Sequence, residues 1–385
     1  MRVAENHLLD RMNRSLRDLR ISVTDRCNFR CTYCMPEEKY HRDFQFLKTK
    51  ERLNFAEIVR LASLFTAAGV RKLRITGGEP LLRPALGDLI GDLRALPNIE
   101  EIALTTNGIL LGQHAAGLKA AGLDRVTISL DSLDKTVFKQ MSGGRGGLGR
   151  ILDGIDAALE AGLTPIKINA VVQRGVNDDT VLQLLERFRG TGVIVRMIEY
   201  MDVGNINHWQ ESDTVPSAEL RARIGERWPL RAERSNYDGE VATRYLYDDG
   251  KGEIGFISSV SEPFCGSCHR ARLSSDGQLF TCLFATAGTD LRQPMRDGAT
   301  DEELFSIIHR VWTRRADRYS EQRAELLRRG REIHKPEMYY IGGSIKGLKG
   351  DSYFKCQAGR LALKDTDPFL RDAWHLKSLS PNSPG

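Results

Sequence analysis

Strand-like and helix-like segments alternate through the first half of the chain, and that alternation limits the possible folds more than any single motif. β-Branched and apolar runs recur at 19–24 (LRISVT), 72–76 (KLRIT), 101–106 (EIALTT), 125–130 (RVTISL), 166–172 (IKINAVV) and 193–200 (VIVRMIEY). Helix-like stretches separate them. In "NFAEIVRLASLFTAAG", Asn54 reads as an N-cap and Gly69 as a C-terminal stop, and "RILDGIDAALEAG" closes on Gly162. Successive strand–helix units predict a parallel sheet covered by helices. An open doubly wound sheet and a full or partial barrel both satisfy the pattern. The glycine-rich segment 143–149 (GGRGGLG) predicts a mobile loop. After about residue 215 the alternation fades into polar, Arg-rich sequence, so a second region is expected from 216.

The chain's 385 residues suffice for one large domain and a smaller one. No run approaches the ~18 apolar residues of a membrane span. The first twenty residues contain no apolar stretch of the secretory kind, so a cytoplasmic protein is expected. A net charge of +5 suits a small anion better than a nucleic acid. Six of the seven cysteines fall in two tight groups, which in a non-exported protein read as metal ligands rather than disulfides.

The first group, Cys27, Cys31 and Cys34 in "CNFRCTYC", follows the first strand directly, where α/β folds place active sites. Three thiolates can hold three irons of a [4Fe–4S] cube and leave the fourth open. Zinc would require a fourth ligand, and His41 is the nearest candidate. The second group, Cys265, Cys268 and Cys282, again supplies three thiolates. "CGSCH" also fits a c-type haem attachment motif, but that leaves Cys282 unexplained and requires export. A zinc site completed by His269 stays open. Cations recur on the strands: Arg20, Lys72 and Arg74, Lys167, Arg196. Converging in a barrel, they would need an anion, and a polyphosphate is the natural one. No GxxxxGK[ST] loop is present, so a nucleotide would not be held in the P-loop manner.

CxxxCxxC with Tyr33 before its last cysteine, "RITGGEP" at 74–80 and "TISLDS" at 127–132 together resemble the radical SAM superfamily. With the second triplet and Arg270 and Arg272 beside it, residues 14–343 resemble the GTP 3′,8-cyclase (molybdenum cofactor biosynthesis protein A) family. The resemblance implies an incomplete (β/α)6 TIM-like barrel over 14–215. A second-cluster and GTP-binding region over 216–343 would close its open side, and 344–385 would be an extension. It further implies two [4Fe–4S] clusters and S-adenosylmethionine (SAM), with Tyr33, Gly78, Ser129 and Met201 at the SAM site. Cys27, Cys31, Cys34, Arg270 and Arg272 would be the catalytic set. Arg20, Lys72, Arg74, Thr105, Lys167, Arg196, Arg270 and Arg272 would bind GTP. The cluster at Cys265, Cys268 and Cys282 would meet the guanine base.

The implied partners are an electron-donor protein and the next enzyme, cyclic pyranopterin monophosphate synthase, with neither nucleic acid nor membrane. The protein is expected as a monomer or homodimer. Two departures stand out: His269 replaces an expected Asn or Asp, and the terminal glycine pair, Gly342 and Gly343, is followed by further chain. That extension is expected to impair docking of the pair, while Cys356 within it has no expected role. The competing functions are a peptide-modifying radical SAM enzyme with auxiliary clusters and a non-catalytic zinc scaffold.

Overall fold

The computed structural model describes residues 8–328 and 335–339. Gly342, Gly343, Cys356 and the extension from 344 lie outside these residues. The six expected strands form as β1 Asp18–Ser22, β2 Lys72–Thr76, β3 Glu101–Thr106, β4 Arg125–Ser129, β5 Lys167–Val172 and β6 Ile194–Glu199. Each pairs in parallel with the next. Between them run α1 Phe55–Ala67, α2 Leu86–Arg94, α3 Leu111–Ala120, α4 Lys135–Met141, α5 Leu148–Glu160 and α6 Val181–Phe188. Asn54 caps α1, accepting from the Glu57 N–H at 2.8 Å, while the Glu57 carboxylate reaches back to the Asn54 N–H at 2.7 Å. Gly69 takes φ 111° and Gly162 φ 71°, left-handed positions that turn the chain out of α1 and α5.

Side-chain parity on the strands decides what meets what. One face carries Leu19 and Ile21, Leu73 and Ile75, Ile102 and Leu104, Val126 and Ile128, all buried. These pack with Ile58, Leu61 and Phe65 of α1 and Ile151 and Ile155 of α5 in the main core. Each fully buried Leu or Ile contributes about 1.5–3 kcal/mol. The opposite face carries Arg20, Arg74, Thr105, Ser129 and Asn169, which open into an interior cavity.

The second half, α7 Ser217–Arg227, β7 Leu230–Glu233, β8 Thr243–Tyr247, β9 Glu253–Ile257, β10 Arg270–Leu273, β11 Gln278–Phe280, β12 Thr289–Asp290, α8 Arg292–Arg296, α9 Asp301–Thr313 and α10 Tyr319–Arg328, builds no sheet of its own. Instead β10 joins β1 in parallel and β9 joins β6 in parallel. The strand order is β12-β11-β10-β1-β2-β3-β4-β5-β6-β9-β8-β7, an incomplete barrel whose two margins come from the second half.

The segment 143–149 departs from its expectation as a mobile loop. Leu148 and Gly149 begin α5, and Gly143 and Gly146 before them pack tightly on the first cysteine loop. A Cβ at Gly143 would lie 2.2 Å from the Arg30 carbonyl oxygen, and one at Gly146 2.4 Å from the Phe29 ring. None of the described helices is long and apolar enough to cross a membrane.

Candidate active site

The first cysteine triplet sits in the loop that leaves β1. Its turn is closed by the Cys34 and Met35 N–H groups donating to the Cys31 carbonyl at 3.0 and 2.9 Å. Arg30 clasps it from within, donating to the carbonyls of Cys27 (2.9 Å), Phe29 (2.8 Å) and Tyr40 (2.8 Å). The glycine pair after β2 lies against this loop: Gly78 N–H donates to Thr24 O and Glu79 N–H to Arg26 O, both at 2.8 Å. A Cβ at Gly78 would stand 2.3 Å from Arg26 O, so only glycine fits there. Glu79 turns away and ties β2 to β3, accepting from Thr106 Oγ1 (2.8 Å), Asn107 N–H (2.8 Å) and Leu81 N–H (3.0 Å). Burial pushes its carboxyl up to about 7 despite these bonds.

Tyr33 reaches across to β4, donating to Asp131 Oδ2 at 2.8 Å, while Asp131 Oδ1 accepts from Val171 N–H at 2.9 Å. Burial raises the Asp131 carboxyl to about 6. Tyr33, Gly78, Ser129 and Met201 thereby line one wall of a cavity of about 350 Å³ together with Cys27, Cys31 and Cys34.

Cys265, Cys268 and Cys282 line the same cavity from the second half of the chain. Two arginines fix their loop. Arg14, 1% exposed, donates to the Cys265 carbonyl at 2.8 Å and is held by Asp10 at 2.6 Å. Arg315 donates to the Cys268 carbonyl at 2.6 Å and is held by Asp317 through contacts of 3.0–3.2 Å. Arg270 Nε and Nη2 lie 3.3 and 3.2 Å from Cys268 Sγ. Burial alone would raise the Cys268 thiol, but Arg270 and Arg315 bring it down to about 6. The other thiols go the opposite way. Burial and Glu79 push Cys27 up to about 12, burial and Asp317 push Cys282 up to about 12, and burial with neighbouring sulfurs raises Cys31 and Cys34.

Both triplets are therefore unbridged thiols facing one space. Most of them need a nearby cation to ionise, which the irons of a cluster provide. The histidines weighed for zinc are engaged elsewhere. His269 Nδ1 is 2.9 Å from Ser15 O and its Nε2 is 3.1 Å from Asp238. His41 is half-exposed, with Nδ1 accepting from the Asp43 N–H at 3.3 Å. Among the described residues no three His, Cys, Asp or Glu converge as a single metal ion requires.

The cations gather on the inner strand faces. Arg20, Arg74, Thr105, Arg270 and Arg272 line the main cavity. Arg74 Nη1 donates to Thr105 and Thr127 at 3.4 and 3.3 Å. Lys72 and Arg196 line a deeper recess, and Lys167 is buried beside Arg196 without lining either space. Crowding shows in their ionisation. Burial with Arg272 and Arg74 pulls Arg20 well down. Burial with Arg125 and Arg196 brings Arg74 to about 10, and burial with Arg270 brings Arg272 to about 10. Lys167 falls to about 7 through burial, Arg196 and Arg125. Such a set is poised for a polyanion. Asn107, Asp131, Arg14, Arg315 and Arg125 are the site residues that motif reading did not find.

The Radical SAM superfamily model matches residues 21–188, and the Molybdenum Cofactor Synthesis C model matches 193–321. The chain is 52% identical over 334 residues to the GTP 3′,8-cyclase of Xanthomonas axonopodis pv. citri, covering 87% of this chain and 98% of that protein. It is 50% identical over 356 residues to the GTP 3′,8-cyclase of Acidothermus cellulolyticus, covering 87% and 98%. Among solved structures, Streptococcus suis SuiB superposes with a TM-score of 0.50 at 16% identity, covering 78% of this chain and 67% of that one.

Proposed function

The chain belongs to the GTP 3′,8-cyclase family of the radical SAM superfamily, and from that premise we propose how its cavity holds the reactants. The reaction is cyclisation of GTP to 3′,8-cyclo-7,8-dihydroguanosine 5′-triphosphate, the entry to molybdenum cofactor biosynthesis. One observation carries the reading: two unbridged cysteine triplets line one cavity, and a crowd of cations lines that cavity and a recess that shares its wall. Cys27, Cys31 and Cys34 hold the cluster that, when bound, supplies the electron for cleaving SAM. Tyr33, Gly78, Ser129 and Met201 orient SAM beside it. Cys265, Cys268 and Cys282 hold a second cluster at the guanine end.

Arg20, Lys72, Arg74 and Arg196 clamp the triphosphate, Lys167 adds positive charge from its buried place beside Arg196, and Thr105, Arg270 and Arg272 bridge to the nucleoside. Held at both ends, the ribose would be kept in one orientation toward the SAM site, and this positioning is the protein's main contribution. An electron-donor protein feeds the site, and cyclic pyranopterin monophosphate synthase takes the product. Anaerobic reconstitution with iron and sulfide, then SAM, dithionite and GTP, should yield the cyclic nucleotide by mass spectrometry. Absence of that product, with SAM cleaved, would refute the assignment.

Two outcomes follow from the cations. Arg270→Ala should weaken GTP binding by about 1.5–3 kcal/mol, since a charge-assisted contact inside a closed site is lost. SAM affinity should stay within twofold of wild type, as equilibrium dialysis would show. Lys167 makes binding pH-dependent. Free, it titrates near 7, whereas a bound polyanion favours its charged form and raises that value. GTP binding at pH 8 therefore takes up a proton, and affinity falls as pH rises above 7 toward the bound-state value. Calorimetry at pH 8 in buffers of different ionisation heat should register this uptake, of up to about one proton. Lys167→Met should remove it, and uptake unchanged in that variant would reject the role.

A further inference from the structure

Arg20 and Arg74 border both the main cavity and a second, smaller space. Asn169, Ile257 and Arg270 likewise line both, and the smaller is a narrow recess of about 60 Å³. Its far wall is made by the first residues of four strands, Asp18, Lys72, Glu101 and Arg125, and no cysteine reaches it. One water needs about 10–15 Å³. The recess thus takes a group of about four or five heavy atoms, the size of one phosphate and too small for a sugar or base. From the other side the Tyr237 ring covers Lys72 Nζ at 3.7 Å, and Glu240 stands 3.5 Å from Arg196 Nη2.

Arg125 is the residue here that motif reading passes over. It is 6% exposed. Its Nη2 donates to Glu101 Oε1 at 2.6 Å. Its Nη1 is buried with no hydrogen-bond partner, as is Arg196 Nε in the same recess. A buried guanidinium nitrogen without an acceptor is costly, and such a group commonly marks where a ligand oxygen belongs. Arg125 is also the leading positive neighbour of both Arg74 and Arg196.

Resting on the orientation above, with guanine at the Cys265, Cys268 and Cys282 triplet, the recess receives the end of the triphosphate farthest from the base. We propose that Arg125 is a specificity-determining residue that reads the terminal phosphate. Its open Nη1 takes a phosphate oxygen while Glu101 holds the other edge of the guanidinium in register. The protein thereby measures the length of the phosphate chain as well as the identity of the base.

The test is equilibrium dialysis of the reconstituted holoenzyme with GTP and with GMP. Arg125→Gln should weaken GTP by about 10–100-fold, the range for one charge-assisted contact. GMP, too short to reach the recess, should change by less than about twofold, so the GTP-to-GMP preference collapses. Arg125→Lys, which keeps the charge but not the fork, should recover part of that preference. It also provides the same ratio if the Gln variant does not fold. Equal weakening of both nucleotides, or of neither, against an intact wild-type preference overturns the role of Arg125 alone. A wild-type protein without preference for GTP over GMP overturns the triphosphate clamp itself.

Discussion

Serine at Cys31 should abolish cleavage of SAM, whereas serine at Cys268 should leave cleavage running and abolish cyclisation of GTP. The division follows from the two triplets' neighbours. Cys31 lies in the loop clasped by Arg30, with Tyr33 and Gly78 lining the cavity where SAM is proposed to bind. Cys268 lies beside Arg270, and its carbonyl is fixed by Arg315, at the end proposed for the nucleotide. Among the described residues neither triplet has a spare thiol to stand in for a lost ligand. Iron should fall from about eight per chain to about four in each variant, as expected for loss of one of two cubes. 5′-Deoxyadenosine measured by chromatography, and cyclic nucleotide by mass spectrometry, separate the two effects. Cyclic product at the wild-type rate from Cys268→Ser would refute the second-cluster assignment.

Alanine at Gly78 costs nearly as much through one methyl group. The added Cβ would stand 2.3 Å from the Arg26 carbonyl oxygen and 2.6 Å from its carbon, both backbone atoms that cannot rotate away. To make room, the loop must give up the Gly78–Thr24 and Glu79–Arg26 hydrogen bonds. Overpacking of this kind costs about 1–3 kcal/mol. Because the displaced backbone carries Cys27, the loss falls on the first cluster. Gly78→Ala should therefore bind about half the wild-type iron and cleave SAM poorly, with the second triplet still loaded. Gly117 in α3 supplies the control. A Cβ there meets nothing within 4 Å, so Gly117→Ala should be stabilising by about 0.5–1 kcal/mol. Full iron and full cleavage in Gly78→Ala would show that the loop has slack the structure does not suggest.

The six central strands were legible because each is a short apolar run bounded by turn residues, with a capped or glycine-stopped helix between. The margins were not. β9 (EIGFI) and β10 (RARL) are short and set in polar, Arg-rich sequence, and nothing local announces that their partners are β6 and β1. The Asp276–Gly277 pair before β11 was a turn signal hidden by the cysteine pattern around it. Arg125 escaped because, beside Asp124 at the start of a strand, it reads as a solvated end. Parity would have found it: Arg125, Thr127 and Ser129 alternate onto the inner face, and Asp131 continues the series. Arg14 and Arg315 had no comparable signal, since each acts on a cysteine loop brought to it only by the fold.

The margins of the sheet also set a timetable for the protein's birth. β1 leaves the ribosome well before its second neighbour, β10, and Arg14 meets Cys265 across 251 positions. At about 5–20 residues per second, the nascent chain spends roughly 10–50 s with one flank of β1 unpaired. An exposed flank of that kind is a template for pairing with other chains, and closure over so long a span is slow. Half-made molecules are thus the aggregation-prone species, and expression yield should follow chaperone supply more closely than thermal stability does. The same timetable means that the cavity proposed for the nucleotide lacks the wall bearing Cys265, Cys268 and Cys282 until that segment has been translated, so substrate capture would come after the six central strands are made.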